Sequence, residues 1–148
     1  MPRRSAFSLL EIMIVVAIIG LLSLIGIPSF MKARQNSSAS AIANNFRVFD
    51  GAFQQYNMSS GIWPPPDWAP GAYPAGMQDW LPDAWINNRP IGGFYAFHAD
   101  ATTPATIILS KVGIPTTIMQ RVDDLLDDGD LQAGKIRGNS QNLDLVIE

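Results

Sequence analysis

The chain has 148 residues, of which 47% are hydrophobic and only 16% are charged, against a usual charged share of about 25%. This length allows one domain of ordinary size. The formal net charge of −3 argues against nucleic-acid binding through bulk basic charge. Cysteine is absent and histidine occurs once, which excludes disulfides, cysteine-containing zinc sites and thiol nucleophiles and weakens any Ser-His catalytic arrangement.

An uncharged apolar run occupies residues 12–31 near the N-terminus. Twenty helical residues are about 30 Å long, which matches the hydrocarbon core of a bilayer. A buried core helix is the alternative, but a chain this short cannot cover such a helix on all sides. The run therefore predicts a membrane-spanning helix. Arg3 and Arg4 before it, and Lys32 and Arg34 after it, leave its orientation undecided by charge.

One acid, Glu11, lies at the start of this apolar run. A carboxylate in a membrane segment costs free energy, so such a residue is by default interpreted as functional. The alternative is that Glu11 simply lies at the level of the lipid headgroups. A short basic leader, Ala6, Phe7, a serine and two leucines precede it in the segment RRSAFSLLEIMIVVAIIG. A secretory signal peptide differs, because it has a shorter apolar stretch closed by a small-x-small cleavage site.

This N-terminal pattern resembles that of type IV pilin-like prepilins and of the pseudopilins of type II secretion. Ala6 stands where that family usually has glycine. The resemblance implies cleavage between Ala6 and Phe7 by a prepilin peptidase on the cytoplasmic side, followed by N-methylation of Phe7. It also implies a single-pass protein of the bacterial inner membrane, with a cytoplasmic N-terminus and a periplasmic head that later joins a fibre.

The same resemblance gives Glu11 a role in assembly. Cleavage would create an α-amino cation on Phe7, and Glu11 of one subunit would neutralise the amine of a neighbouring subunit in apolar surroundings. The expected partners are therefore like or related pilin subunits that contact the N-terminal helix, prepilin peptidase, an inner-membrane assembly platform and membrane lipid. No nucleic acid is required.

The helical pattern continues beyond the membrane segment to Ser60, and Gly61 is a suitable residue to end it. Pro28 is expected to kink this helix. An apolar stripe with spacings of 4, 3, 4 and 3 predicts that the second half packs on a small core: Ile42, Phe46, Phe49, Phe53 and Tyr56. The expected organisation is a leader (1–6), a transmembrane and assembly helix (7–31), an amphipathic helix (32–60) and a globular head (61–148).

A proline- and tryptophan-rich connection opens the head at residues 61–93. Its four tryptophans are Trp63, Trp68, Trp80 and Trp85. Two interpretations are open: the rings anchor the connection to the core, or they form a surface that recognises sugar or a protein partner.

The last third of the chain predicts a small sheet and a second helix. Thr117 and Gln120 match a capping box at the start of that helix, and His98 is expected to be a packed or surface side chain without a catalytic role. The predicted elements are strands at 94–99 and 105–110, a helix at 115–126 and a hairpin of 132–137 with 143–147. The fold class is α+β and pilin-like, with a long N-terminal helix packed on a small antiparallel sheet.

Acidic residues gather around the end of the predicted second helix: Asp123, Asp124, Asp127, Asp128 and Asp130. Acids at a helix C-terminus oppose its dipole. Calcium bound by Asp124, Asp127, Asp128 and Asp130 is one explanation, although the spacing fails the EF-hand template. The other explanation is a turn whose charge is neutralised by nearby basic side chains: Arg121, Lys135 and Arg137. No other cofactor is expected.

These features predict a structural subunit of a pilin-like fibre, not an enzyme, because no nucleophile–base pair, phosphate loop or metal-ligand motif occurs in the sequence. A type II secretion pseudopilin is favoured over a type IV pilin for adhesion or DNA uptake, since the chain is short and lacks a cysteine pair. A single-pass membrane-anchored binding module that uses the tryptophan-rich connection is the alternative from another class.

Overall fold

The computed structural model describes residues 8–67, 69–87, 89–100 and 102–147. The chain divides into two compact units, residues 1–34 and residues 35–148. The described part of the first unit consists of Ser8 and the first half of helix α1 (Leu9–Ser60). The second unit holds the remainder of α1, two short helices and a four-stranded sheet, and it contains the hydrophobic core.

Helix α1 remains α-helical on both sides of Pro28. Proline has no amide hydrogen, so the carbonyl of Leu24 has no helical donor at that position. At the next residue, the Ser29 hydroxyl donates to the carbonyl of Ile25 at 3.1 Å, a contact that commonly accompanies a bend. These changes in hydrogen bonding are compatible with the predicted kink at Pro28, which stays a prediction.

The apolar stripe in the second half of α1 is confirmed. Ile42, Phe46, Phe49 and Phe53 are completely buried, and Tyr56 is partly buried against the same core. Small side chains widen the buried face: Ala39, Ala43 and Ala52. This half of α1 is therefore the central helix of the second unit.

The end of α1 is confirmed at Ser60. Gly61 follows with a φ of 75°, a conformation that costs glycine no side-chain clash. Its amide donates to the carbonyl of Asn57 at 2.7 Å, which is the hydrogen bond of the αL helix-ending motif. The chain leaves the helix at this point because the glycine reverses the backbone.

The sheet contains four antiparallel strands in the order β1-β2-β4-β3. These strands are β1 (Phe94–His98), β2 (Thr106–Ser110), β3 (Ile136–Gly138) and β4 (Asn142–Val146). The predicted hairpin is confirmed as β3 and β4, but its first strand is shorter than predicted. One face of the sheet is apolar and buried: Tyr95, Phe97, Ile107, Leu109, Ile136, Leu143 and Leu145.

Aromatic rings join α1 to this face of the sheet. Phe53 stacks on Phe97 with ring centroids 4.2 Å apart, and Phe49 meets Tyr95 edge-on at 4.8 Å. Buried Asn45 donates to the Tyr95 hydroxyl at 3.0 Å, so this buried polar pair is satisfied. Burial raises the pKa of Tyr95 to about 12, so the phenol stays neutral. The result is the predicted α+β pilin-like architecture.

The tryptophan-rich connection packs against the core. Trp85, in the short helix α2 (Ala84–Asn87), is buried, and its indole donates to the carbonyl of Ala72 at 2.8 Å. Trp63 and Trp80 are partly buried against the same cluster. Trp68 lies outside the described residues. The three described tryptophans therefore support the anchoring interpretation over an exposed recognition surface.

Helix α3 (Thr116–Leu126) begins directly after Pro115, and no side chain caps its first turn. The predicted capping box was wrong, because Thr117 lies within the helix and not at its N-cap. Gln120 instead donates to the carbonyl of Gly129. At the other end, Arg47 of α1 donates to the carbonyl of Leu125 at 2.7 Å, which satisfies one of the last carbonyls of α3.

Candidate functional site

The first half of α1 exposes an apolar surface on all sides. Large apolar side chains are exposed at sixteen positions between Leu9 and Met31, with exposed fractions from 51% to 79%. Burying one such side chain contributes about 1.5–3 kcal/mol, so this surface gains tens of kcal/mol if another phase or molecule covers it. Within the described residues, α1 is the one helix long and apolar enough to cross a membrane, judged by length and composition.

Ser8 and Glu11 form a capping box at the start of α1. The Leu10 amide donates to the Ser8 hydroxyl at 3.3 Å, and the Ser8 amide donates to Glu11 Oε2 at 2.9 Å. This arrangement satisfies two of the amides that a helix N-terminus leaves without a partner. It also places the negative charge of Glu11 at the positive end of the helix dipole.

Small residues leave a shallow apolar depression on this exposed helix. Its lining includes Ser23 and Gly26, and a Cβ atom built on Gly26 would meet nothing within 4 Å. The larger residues around it are Ile19, Leu22, Ile27 and Phe30. Such a depression can receive a large side chain from a neighbouring helix, because small residues let two helices approach closely in lipid.

The aspartates after α3 have separate structural partners. Asp127 accepts hydrogen bonds from the backbone amides of Lys135 and Ile136, so it holds the start of β3. Asp124 lies 3.6 Å from Arg121 in an exposed ion pair. Asp128 accepts the amide of Asp130 at 3.0 Å, and Asp130 accepts the amide of Gln132 at 3.0 Å.

Gly134 lies beside the carboxylate that holds β3. Its φ is 71°, and a Cβ built on it would collide with the Asp127 carboxylate. Glycine is therefore required both for the backbone conformation and for the close approach of Asp127. Arg137 donates to the Gly134 carbonyl at 3.2 Å. The loop between α3 and β3 is thus fixed mainly by side chain–backbone contacts.

Asp123 differs from the other aspartates because it is completely buried. Neither of its carboxylate oxygens accepts a hydrogen bond of normal geometry from the described residues. Burial raises its pKa to about 6, the charges of Asp127, Asp128 and Asp124 add to that rise, and the Gly129 amide opposes it. One carboxylate oxygen from each of Asp123, Asp127 and Asp128 can be chosen such that all three lie within 4.8 Å of one another.

Comparisons with known proteins identify similarity over parts of the chain. Residues 1–27 match the family described as "Prokaryotic N-terminal methylation motif". The chain is 48% identical over 47 residues to the "Type IV major pilin protein PilA" of Myxococcus xanthus (strain DK1622), covering 32% of this chain and 21% of that protein. It is 28% identical over 64 residues to the "Type II secretion system core protein G" of Klebsiella pneumoniae, covering 43% and 46%.

A third relative is the "Fimbrial protein EcpC" of Eikenella corrodens, 35% identical over 68 residues that cover 46% of this chain and 44% of the relative. Over these segments the chain is similar to type IV pilins and type II secretion pseudopilins. The matched segments span less than half the length of each of these three relatives. No solved structure matches the chain.

The structure locates some of the residues that the pilin-like sequence singles out. Ala6 and Phe7 lie outside the described residues, so their cleavage and methylation stay predictions. Glu11 is exposed at the start of α1. Its capping box was not predicted from the sequence, although the Ser-x-x-Glu spacing of Ser8 and Glu11 was a signal for it.

The acidic cluster of this pilin-like chain also differs from the predicted set. The structure groups Asp123 with Asp127 and Asp128, whereas the sequence suggested Asp124 and Asp130 beside those two. Asp123 was not among the predicted ligands, because its burial depends on how α3 packs. Its place on the apolar face of α3, one residue after Val122, was the available signal.

Proposed function

We propose that this chain is a structural subunit of a pilin-like fibre, anchored in the membrane and joined to neighbouring subunits through residues 7–31. The observation that carries the proposal is the exposed apolar half of α1, headed by a single acid. Lipid covers such a surface before assembly, and the helices of neighbouring subunits cover it afterwards. The depression at Ser23 and Gly26 supports close helix packing.

The acid favours a fibre subunit over a plain anchor. A plain anchor gains only the helix cap from Glu11, while the charge of this side chain costs free energy near hydrocarbon. Before assembly, the capping box with Ser8 partly satisfies this carboxylate. After cleavage by prepilin peptidase, the new α-amino cation of Phe7 on a neighbouring subunit supplies a partner of opposite charge. Pairing the two charges lowers the cost of holding both in apolar surroundings and sets the axial register of neighbouring subunits.

Within this class we propose a type II secretion pseudopilin, inserted in the bacterial inner membrane with a cytoplasmic N-terminus and a periplasmic head. The similarity to a type II secretion core protein and the absence of a cysteine pair support this choice. Assembly would use an inner-membrane platform, and the subunit would have no enzymatic activity. A type IV pilin subunit for adhesion or DNA uptake is the second candidate, supported by the similarity to a major pilin and a fimbrial protein.

Deletion of the gene distinguishes a type II secretion pseudopilin from a type IV pilin subunit. A pseudopilin mutant retains its substrates in the periplasm and keeps its surface pili. A pilin mutant loses surface fibres and still secretes. A chain that acts only as an anchored binding module changes neither result. The packing of the tryptophan-rich connection against the core already disfavours that module.

The mass of the mature protein tests processing directly. We expect a chain that begins at Phe7 and carries one additional methyl group. An intact N-terminus from Met1 would contradict the proposal and favour a plain anchor. The conservative change Ala6→Gly keeps a small residue at the cleavage site and should give the same mature mass.

Filament yield tests the role of Glu11. Glu11→Leu should insert in the membrane at normal levels but give few or no filaments, because the Phe7 amine of its neighbour lacks a counter-ion. Ser8→Ala is the matched control: it removes the hydroxyl of the capping box and keeps the charge, so filaments should form. Normal yield from Glu11→Leu, or equal losses from both variants, would refute charge pairing.

A further inference from the structure

Two basic side chains, Lys32 and Arg34, directly follow the apolar run of α1. Both are exposed, and neither forms an ion pair with any of the described residues. No acidic residue occurs between Glu11 and Asp50, so the helix offers them no counter-ion at a spacing of three or four residues. An anion that neutralises these two charges must therefore come from outside this part of the chain.

The height of these two residues along α1 corresponds to the headgroup layer of a bilayer. The apolar run of residues 12–31 matches a hydrocarbon core of about 30 Å, and the headgroups add about 5–8 Å on each side. At about 1.5 Å per residue, Lys32 lies about 1.5 Å and Arg34 about 4.5 Å beyond Met31 along the helix axis. Long basic side chains at the end of a membrane helix extend towards the headgroups, where the phosphates lie.

The two basic side chains leave α1 on opposite sides. Residues two positions apart are rotated by about 200° around the axis of a helix with 3.6 residues per turn. Lys32 and Arg34 are therefore placed to contact two different lipid molecules, and they do not form one compact anion site.

We propose that Lys32 and Arg34 bind the headgroup phosphates of anionic phospholipids, such as phosphatidylglycerol, in the leaflet where the apolar run ends. This inference rests on the membrane anchoring proposed above, and it adds the class of lipid and the two residues that select it. A zwitterionic headgroup carries its own cation beside the phosphate, whereas an anionic headgroup leaves the phosphate charge for the protein. The expected result is about five-fold enrichment of anionic lipid beside each basic side chain, the equivalent of about 1 kcal/mol.

Quenching of a single fluorophore by labelled lipids tests the inference. Because the chain lacks cysteine, Ala33→Cys gives one labelling site between the two basic residues. The labelled full-length chain is placed in phosphatidylcholine vesicles that contain equal small fractions of nitroxide-labelled phosphatidylglycerol or of nitroxide-labelled phosphatidylcholine with the same acyl chains. Quenching by the phosphatidylglycerol should correspond to a local concentration up to about five-fold higher. Labelled phosphatidylserine should behave in the same way, because its headgroup also carries a net negative charge.

Removing both charges should remove the preference for anionic lipid. With Lys32→Gln and Arg34→Gln combined, the two labelled lipids should quench the fluorophore equally, because the chain still inserts but attracts no headgroup charge. Each single substitution should leave part of the preference. Arg121→Gln is the matched control: it removes a positive charge from an exposed ion pair of α3 and should keep the full preference.

Three results would overturn the inference and leave the membrane anchoring intact. The first is equal quenching by the anionic and the zwitterionic lipid when both basic residues are present. The second is an unchanged preference after both have been replaced. The third is a preference for phosphatidylglycerol that phosphatidylserine does not share, which would indicate recognition of headgroup shape and not of charge.

Absence of quenching by every labelled lipid has a different meaning. It would show that the apolar run does not insert in the bilayer, which would contradict the proposed anchoring and this inference together. The comparison of lipids with both basic residues present decides the question even if the doubly substituted chain fails to insert.

Discussion

In residues 8–34, side chains such as Ile14 and Leu24 are more than half exposed, whereas Ile42, Phe49 and Phe53 of the same helix are completely buried. Both regions are rich in apolar residues, but these are arranged differently. The first region is apolar on every side, and the second carries an apolar stripe with a helical period. The comparison shows that the stripe is covered by the sheet of its own chain, while the continuous run must be covered by lipid or by another molecule.

The largest expected effect comes from removing the first region. A chain that begins at Gln35 should be soluble without detergent and should unfold in one cooperative transition, because the whole buried core lies in residues 35–148. The full chain should require detergent. Solubility and circular dichroism check this, and a fragment that aggregates or lacks a cooperative transition would show that the two regions depend on each other.

Removing a ring from the core should have a smaller but still large effect. Phe53→Ala should lower the free energy of unfolding by about 3–5 kcal/mol, because the ring is buried and stacks on Phe97. Ile14→Ala is the matched control in the exposed region and should leave the unfolding of the head unchanged. Urea unfolding followed by tryptophan fluorescence measures both. Equal decreases in the free energy of unfolding from the two substitutions would contradict the difference between the two regions.

The smallest expected effect concerns Asp144, which lies on the face of β4 opposite the core. Burial raises its pKa above the ordinary 3.8, and one of its oxygens is buried without a hydrogen-bond partner among the described residues. Arg137 lies opposite it on β3 and donates to the Gly134 carbonyl. Because the pKa is raised, the neutral Asp144 carboxyl makes its full contribution to stability below pH 3.8. This contribution is lost as the pH rises through the pKa of Asp144 in the folded state.

Asp144→Asn should therefore raise the Tm at pH 7 by up to about 2 °C, and the difference should disappear below about pH 4. Thermal scans of both chains from pH 3 to pH 7 measure this. A substitution that lowers the Tm at pH 7 would show that the charged form of Asp144 has a stabilising partner.

Much of the fold followed from local pattern. The stripe from Ile42 to Phe53, the stop at Gly61 and the strands of the sheet were predicted, because each depends on the period and end signals of a short segment. The predicted capping box at Thr117 was wrong, because a Thr-x-x-Gln spacing also occurs by chance inside a helix. Pro115, two residues earlier, sets the true start of α3.

By itself, the sequence determined the membrane-length helix, the prepilin-like motif around Glu11 and the α+β class, since these depend on continuous runs and fixed spacings. Only the tertiary structure decided which tryptophans anchor the connection, how the strands are ordered, and that Asp123 joins Asp127 and Asp128. The physical reason is burial. A side chain is buried by elements distant in sequence, so the environment of Asp123 exists only once α3 has packed against the core and Asp127 and Asp128 lie beside it.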